Sequence, residues 1–231
     1  MLAVPPTVYV TSSALAVLPV RVMRKVPESG PVSTRLPAKD SLRKIGSVGK
    51  GAFGVQVRIA DASGRSLPPT QVGEVLIRGP FVTPGYWNRP ELTAESSRDG
   101  WWHTGDLAWR DDEGFIYISG RSKDMIKSGA ENIYPIEVEQ AIAALPGVVE
   151  VGVIGVPDEQ WGETVAAFVV KTPDAGVDAA AVIAHCRTQL ASYKKPRHVL
   201  FIENLPRNTT NKVDKNALRE RFAQLGRGTQ G

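Results

Sequence analysis

Gly120-Arg121-Ser122-Lys123-Asp124-Met125-Ile126-Lys127-Ser128-Gly129-Ala130-Glu131-Asn132-Ile133-Tyr134-Pro135 is the stretch on which the fold turns, because the hydrophobic period changes across it. Upstream the pattern alternates. Phe53, Val55, Val57 and Ile59 take every second place, as in a half-buried strand. Residues 73–79 read as a further short strand, and Pro80, Pro84, Gly85 and Pro90 then enforce a loop. Leu107 and Trp109, then Phe115 and Tyr117, form two arms about Asp111-Asp112-Glu113-Gly114, a hairpin signal. Downstream the period becomes helical. Pro135 suits a first helical turn, and Val138, Ala141, Ile142 and Leu145 share one stripe until Pro146-Gly147. Residues 148–156 and 164–171 are apolar, β-rich runs. Asp178 is a candidate N-cap for a helix with Val182, Ile183, Cys186 and Leu190 on one side. Residues 198–203 read as a strand, and Asp214 caps a last helix carrying Leu218, Phe222 and Leu225. The expected fold is therefore α+β: a β-rich, barrel-like unit over 53–120, then a compact unit over 121–225 with a small sheet and flanking helices. Residues 1–52 are expected to be poorly ordered and 226–231 to fray.

Composition narrows the function classes. The chain has 231 residues, 42% hydrophobic and 23% charged, ordinary for a folded soluble chain. A lone cysteine, Cys186, excludes a disulfide framework and any multi-cysteine metal site. His103, His185 and His198 stand in no metal-ligand spacing. The net charge is +4, with the excess in residues 1–50. A basic arm suits an anionic partner, yet no arginine–aromatic platform accompanies it, so no nucleic acid is expected. Residues 1–20 carry no side-chain charge, but Pro5, Pro6 and Pro19 interrupt them, so no stable membrane span is expected. The default location is cytoplasmic.

Three segments carry chemistry. In Trp101-Trp102-His103-Thr104-Gly105-Asp106-Leu107, Gly105 permits a close approach and Asp106 offers an acceptor-only carboxylate suited to a vicinal diol such as a ribose. An Asp capping a turn would look the same. In the 120–135 stretch, Arg121 can clamp hydroxyls or phosphate, and Ser128-Gly129-Ala130 can present backbone N–H groups to an anion. A salt-bridge network around a helix start is the competing reading. In Leu205-Pro206-Arg207-Asn208-Thr209-Thr210-Asn211-Lys212-Val213-Asp214-Lys215, a polar turn displays Lys212, either as a charge for a developing anion or as a solvated lysine.

In this order the segments resemble the adenylate-forming (AMP-binding) superfamily, most of all bacterial fatty-acyl-CoA ligases. Residues 73–75 through 85–93 are similar to the stretch linking that family's two domains, and Val156-Pro157-Asp158-Glu159-Gln160-Trp161-Gly162-Glu163 is another of its hallmarks. The resemblance implies acyl-CoA synthetase chemistry with ATP, Mg2+ and coenzyme A, acting on a small-molecule carboxylate, a fatty acid. It makes 53–120 a remnant of the large adenylation domain and 121–225 a mobile lid. It assigns Asp106, Ile118 and Arg121 to the nucleotide, and Lys123 to the pivot. Lys127, Gly129 and Ala130 fall to the coenzyme A channel, Lys212 to catalysis and Glu28 to the metal.

The chain departs from that pattern at several points. No Ser/Thr/Gly-rich phosphate loop ending in Pro-Lys-Gly is present, and Arg24-Lys25-Val26-Pro27-Glu28 replaces the family's Y-G-x-T-E. Ala130 and Asn211 stand where glycine is usual. The expectation is a truncated ligase, completed if at all by a partner chain supplying the missing N-terminal domain. The alternative is a catalytically incompetent remnant serving as a binding or regulatory domain.

Overall fold

A computed structural model describes residues 23–24 and 33–227 of the chain. Expectations for most of 1–32, Glu28 among them, and for 228–231 fall outside the described residues. Eight strands form the first sheet. They are β1 (Met23–Arg24), β2 (Thr34–Arg35), β3 (Ser47–Gly51), β4 (Gln56–Ala60), β5 (Gly73–Arg78), β6 (Ser97–Arg98), β7 (Trp101–Arg110) and β8 (Ile116–Arg121). Their order is β1-β2-β3-β8-β7-β5-β4 with β6 paired to β7. Every pairing is antiparallel. The alternation puts Val55, Ile59, Val75, Ile77, Trp102, Ala108 and Ile116 into one buried cluster. On the other face Trp101 lies under the guanidiniums of Arg58 and Arg78, at 4.1 and 4.7 Å from its ring centroid.

Three details differ from the sequence reading. The sheet reaches upstream of residue 53 through β2 and β3. Phe53 is not on a strand: it is fully exposed in the turn where the Val55 N–H meets Ala52 O at 2.9 Å. The loop expected from Pro80 is present as far as Arg89, but a short helix that the sequence reading did not foresee, α1 (Pro90–Ser96), follows it, with Pro90 in the first turn, where its missing N–H is harmless. Segment 38–46 is bound to the β7–β8 turn by charge. Lys44 Nζ is 2.6 Å from both Asp111 and Glu113, and Arg43 reaches Glu113 at 2.8 Å.

The second sheet comprises β9 (Ile126–Ser128), β10 (Glu131–Ile133), β11 (Val148–Asp158), β12 (Gly162–Lys171) and β13 (His198–Phe201). Its order is β10-β9-β12-β11, with β13 parallel to β12. Helices α2 (Pro135–Ala143) and α3 (Ala179–Gln189) cover one face, burying Val138, Ile142, Val182 and Cys186 against Val153, Val165 and Val169. Helix α4 (Lys215–Arg227) covers the other, burying Leu218 against Ile154, Ala166 and Phe168. The α+β class follows, with a three-layer second unit. Asp178 caps α3 through the Ala181 N–H at 2.7 Å, and Asp214 accepts from Asn216 and Ala217 ahead of α4. Helix α4 runs two residues into the expected frayed tail. Among the described residues no helix is long and apolar enough to cross a membrane.

Candidate functional site

Asp106 sits in the middle of β7, at a break in the ladder. Glu74 pairs with Leu107 and Leu76 with His103, so three residues of β7 oppose one of β5. Such a bulge bends the strand and re-aims its side chains. Two of the three bulged residues, and His103 before them, are held from β5. The Thr104 hydroxyl donates to Val75 O at 2.8 Å, and the Gly105 N–H donates to Glu74 Oε1 at 3.0 Å. His103 Nδ1 meets Glu74 Oε2 at 2.8 Å. Gly105 has φ +68°, a conformation side chains resist, and no atom lies within 4 Å of where its Cβ would stand. The Asp106 N–H reaches Thr104 Oγ1 at 3.1 Å.

Asp106 is 3% exposed, and Arg121 Nε donates to its Oδ1 at 3.0 Å. The two are register partners across β7 and β8. A carboxylate removed from water needs such a partner. Arg121, half in solvent, keeps further N–H groups for a ligand. Ile118, three residues back on β8, lines a small cavity beside Asp106. It also lines a cleft of about 390 Å³ between the two units, with Trp109, Ser119, Tyr134, Ile136 and Lys194. Burial there pushes the Tyr134 hydroxyl above its usual range. Lys194 Nζ is pinned to Glu137 at 2.7 and 2.8 Å.

Lys123 is exposed in the 3-10 turn Ser122–Asp124 that joins β8 to the second unit. Lys127, Gly129 and Ala130 share the β9–β10 hairpin. That hairpin is anchored to the turn before β12. The Gly129 N–H donates to Trp161 O at 2.7 Å, and the Lys127 N–H donates to Glu163 Oε2 at 2.8 Å. The anion-facing amide expected of Gly129 is thus already engaged. Its φ of +61° and the Trp161 ring, 3.1 Å from where a Cβ would stand, both demand glycine. Ala130 beside it is exposed and tolerates its methyl.

Lys212 stands apart from this hairpin. Its loop is braced by Asn208, whose Oδ1 accepts the Lys212 N–H at 3.0 Å and whose N–H donates to Lys212 O at 2.9 Å. Arg207 ties the loop to Glu150 on β11. Glu150 lies eight residues from Asp158 and the hairpin's end of that strand, about 26 Å at ~3.3 Å per residue. The structure therefore brings together Asp106, Arg121 and Ile118, and separately Lys127, Gly129 and Ala130. Lys123 lies between these groups along the chain, and Lys212 stands at the far end of the second unit. Glu74, Trp161, Glu163 and Asn208 were given no role in the sequence reading. All four stood inside quoted motifs; the bonds of Glu74, Trp161 and Glu163 run to distant segments and leave no local spacing to read, whereas those of Asn208 reach Thr210 and Lys212 within its own turn and were open to a local reading. Among the described residues no three His, Cys, Asp or Glu can hold a metal ion.

The family described as "AMP-binding enzyme" matches residues 27–87, and "AMP-binding enzyme C-terminal domain" matches residues 137–212. A 2-succinylbenzoate–CoA ligase of Bacillus mycoides is 45% identical over 190 residues, which are 82% of this chain and 39% of that protein. A long-chain-fatty-acid–CoA ligase of Mycobacterium tuberculosis is also 45% identical over 190 residues, 82% of this chain and 37% of the relative. In solved structures, o-succinylbenzoate CoA synthetase of Bacillus subtilis with its acyl-adenylate superposes with a TM-score of 0.82 at 37% identity, covering 87% of this chain and 41% of that one. The chain thus spans about two fifths of the length of these relatives. With both parts of the family matched in order and the same fold found at this identity, the chain belongs to the AMP-binding enzyme family, the adenylate-forming superfamily.

Proposed function

We propose that this chain takes part in AMP-forming activation of a carboxylic acid, a fatty acid, in the cytosol, and in its transfer to coenzyme A. The observation that carries the reading is the buried Asp106 carboxylate paired with a half-exposed Arg121 beside the open Gly105. The arrangement suits a ribose. Asp106 accepts from the diol while Arg121 donates to it, and Ile118 gives the base an apolar wall. In the first step a carboxylate oxygen bonds to the α-phosphorus of ATP and the bond to pyrophosphate breaks. In the second the thiolate of coenzyme A attacks the acyl carbon and AMP leaves with the bonding pair.

Lys212, on its braced loop, supplies positive charge to the phosphate and carboxylate in the first step. Lys123 is the pivot about which the second unit turns. Lys127, Gly129 and Ala130 line the approach of coenzyme A in the second step. Mg2+ finds no site among the described residues, and Glu28, its expected ligand, lies outside them, so no step is drawn through the metal. Since the chain spans about two fifths of its relatives, a partner chain carrying the rest of the large domain is part of the proposal. The test is AMP binding by calorimetry, followed by ATP–pyrophosphate exchange with aliphatic and aromatic acids. Saturable AMP binding abolished by Asp106→Ala is expected. A chain that binds no AMP, or binds it equally well as the Asp106→Ala variant, overturns the reading.

A further inference from the structure

Two of the three residues inserted ahead of Leu107, Thr104 and Gly105, are held by β5, as is His103 just before them, and two of these three contacts end on one carboxylate. Glu74 Oε1 accepts the Gly105 N–H at 3.0 Å, and Oε2 meets His103 Nδ1 at 2.8 Å. Thr104, between them, bonds Val75 O through its hydroxyl. The three inserted residues have no ladder partners on β5, so without these contacts the bulge has little to keep its shape. A strand that slips by one residue turns its side chains to the opposite face. Asp106 would then leave Arg121 and the cavity lined by Ile118. Glu74 itself is one quarter exposed and His103 less, so both bonds are made where water competes weakly.

We propose that Glu74 is the positioning residue of the ribose site. It bridges His103 and the Gly105 amide so that the bulge holds Asp106 against Arg121. This rests on the reading of Asp106 as a nucleotide ligand, but the geometry it predicts does not depend on any nucleotide. The length of the Glu74 side chain matters more than its charge. A glutamine offers an oxygen to Gly105 and an N–H to a neutral His103, whereas an aspartate cannot span both.

The full chain and its Glu74→Ala, Glu74→Asp and Glu74→Gln variants provide the test. Two quantities are measured at pH 8: the AMP dissociation constant, and the NMR signals of the Arg121 Nε–H and the Gly105 amide without ligand. Glu74→Ala and Glu74→Asp should weaken AMP about tenfold, the size of one lost hydrogen bond to a charged group, and shift both signals. Glu74→Gln should stay close to the parent in both. A merely structural or electrostatic role predicts the reverse order, with Asp near the parent and Gln impaired, and that result overturns the proposal. So does an unmoved Arg121 signal in Glu74→Asp, which keeps the charge and decides the matter if Glu74→Ala fails to fold. If the parent binds no AMP, the nucleotide reading fails, and the unliganded signals still judge Glu74.

Discussion

Two side chains are buried for opposite reasons, and they respond to substitution differently. Asp106 is buried as an ion and depends on Arg121. Arg121→Lys keeps the charge but loses the planar fork and the fixed Nε–H direction. The expected outcome is AMP binding weakened about tenfold, with thermal stability changed by no more than about 1 kcal/mol because the arginine is half in solvent. Calorimetry and a melt on one sample check both. Cys186 is buried as a neutral thiol. Burial alone pushes its ionisation up to about 11. In the unfolded chain the thiol ionises from about 8.5, so folding opposes proton loss between those values. Stability therefore falls as pH rises through that window. The urea midpoint of the parent should fall more steeply from pH 8 to 10 than that of Cys186→Ala. Parallel curves would count against a buried neutral thiol.

Elements built from local signals were readable before the structure. The α3 cap is one: Asp178 stands ahead of an apolar stripe, and its carboxylate receives the Ala181 N–H. Asp178→Ala should remove about 1 kcal/mol of stability, read from denaturant unfolding. The hairpin about residues 111–114 was equally readable, since Trp109 stacks on Tyr117 across it at 4.3 Å. Elements whose bonds run between distant segments were not. Strands β2 and β3 sit in a charged stretch without alternation; β2 is held by β1 and β3, and β3 by a partner some seventy residues away, with Ser47 Oγ donating to Ile116 O. The same holds for the bulge at Asp106, whose residues announce a turn while their partners lie on β5. The clamp on segment 38–46 also depends on pH. Lys44 and Arg43 hold the Glu113 carboxyl below its ordinary range. A carboxyl so depressed stabilises the fold above its unfolded pKa, and that contribution is lost as pH falls through the folded value. Protection of the amides in residues 38–46, relative to an unstructured chain at the same pH, should fall below about pH 4.3, and Lys44→Ala should lower it already at neutral pH. Protection that persists at pH 3 would mean that apolar contacts, not these ions, hold the segment.

The distribution of the buried clusters bears on how the two units communicate. One cluster gathers residues from β4, β5, β7 and β8, and the two large clusters of the second unit gather residues beyond Arg121. None of these clusters crosses the turn at residues 122–124. What lies between the units is instead a cleft with polar and aromatic walls. Cooperative unfolding follows shared buried contacts, so each side should melt as its own unit. Such a seam suits a second unit that turns about Lys123, because little apolar surface is uncovered when it moves. A fragment of residues 121–231 should therefore unfold cooperatively by itself, with the same midpoint as one transition of the full chain in a calorimetric scan. Leu218→Ala, which opens the cluster under α4, should lower that transition by about 2–5 kcal/mol and leave the other in place. A single transition that moves as a whole with Leu218→Ala would show the two cores to be coupled. The second unit could not then swing independently, and carrying Lys212 to and from the nucleotide by a turn at Lys123 would have to be abandoned.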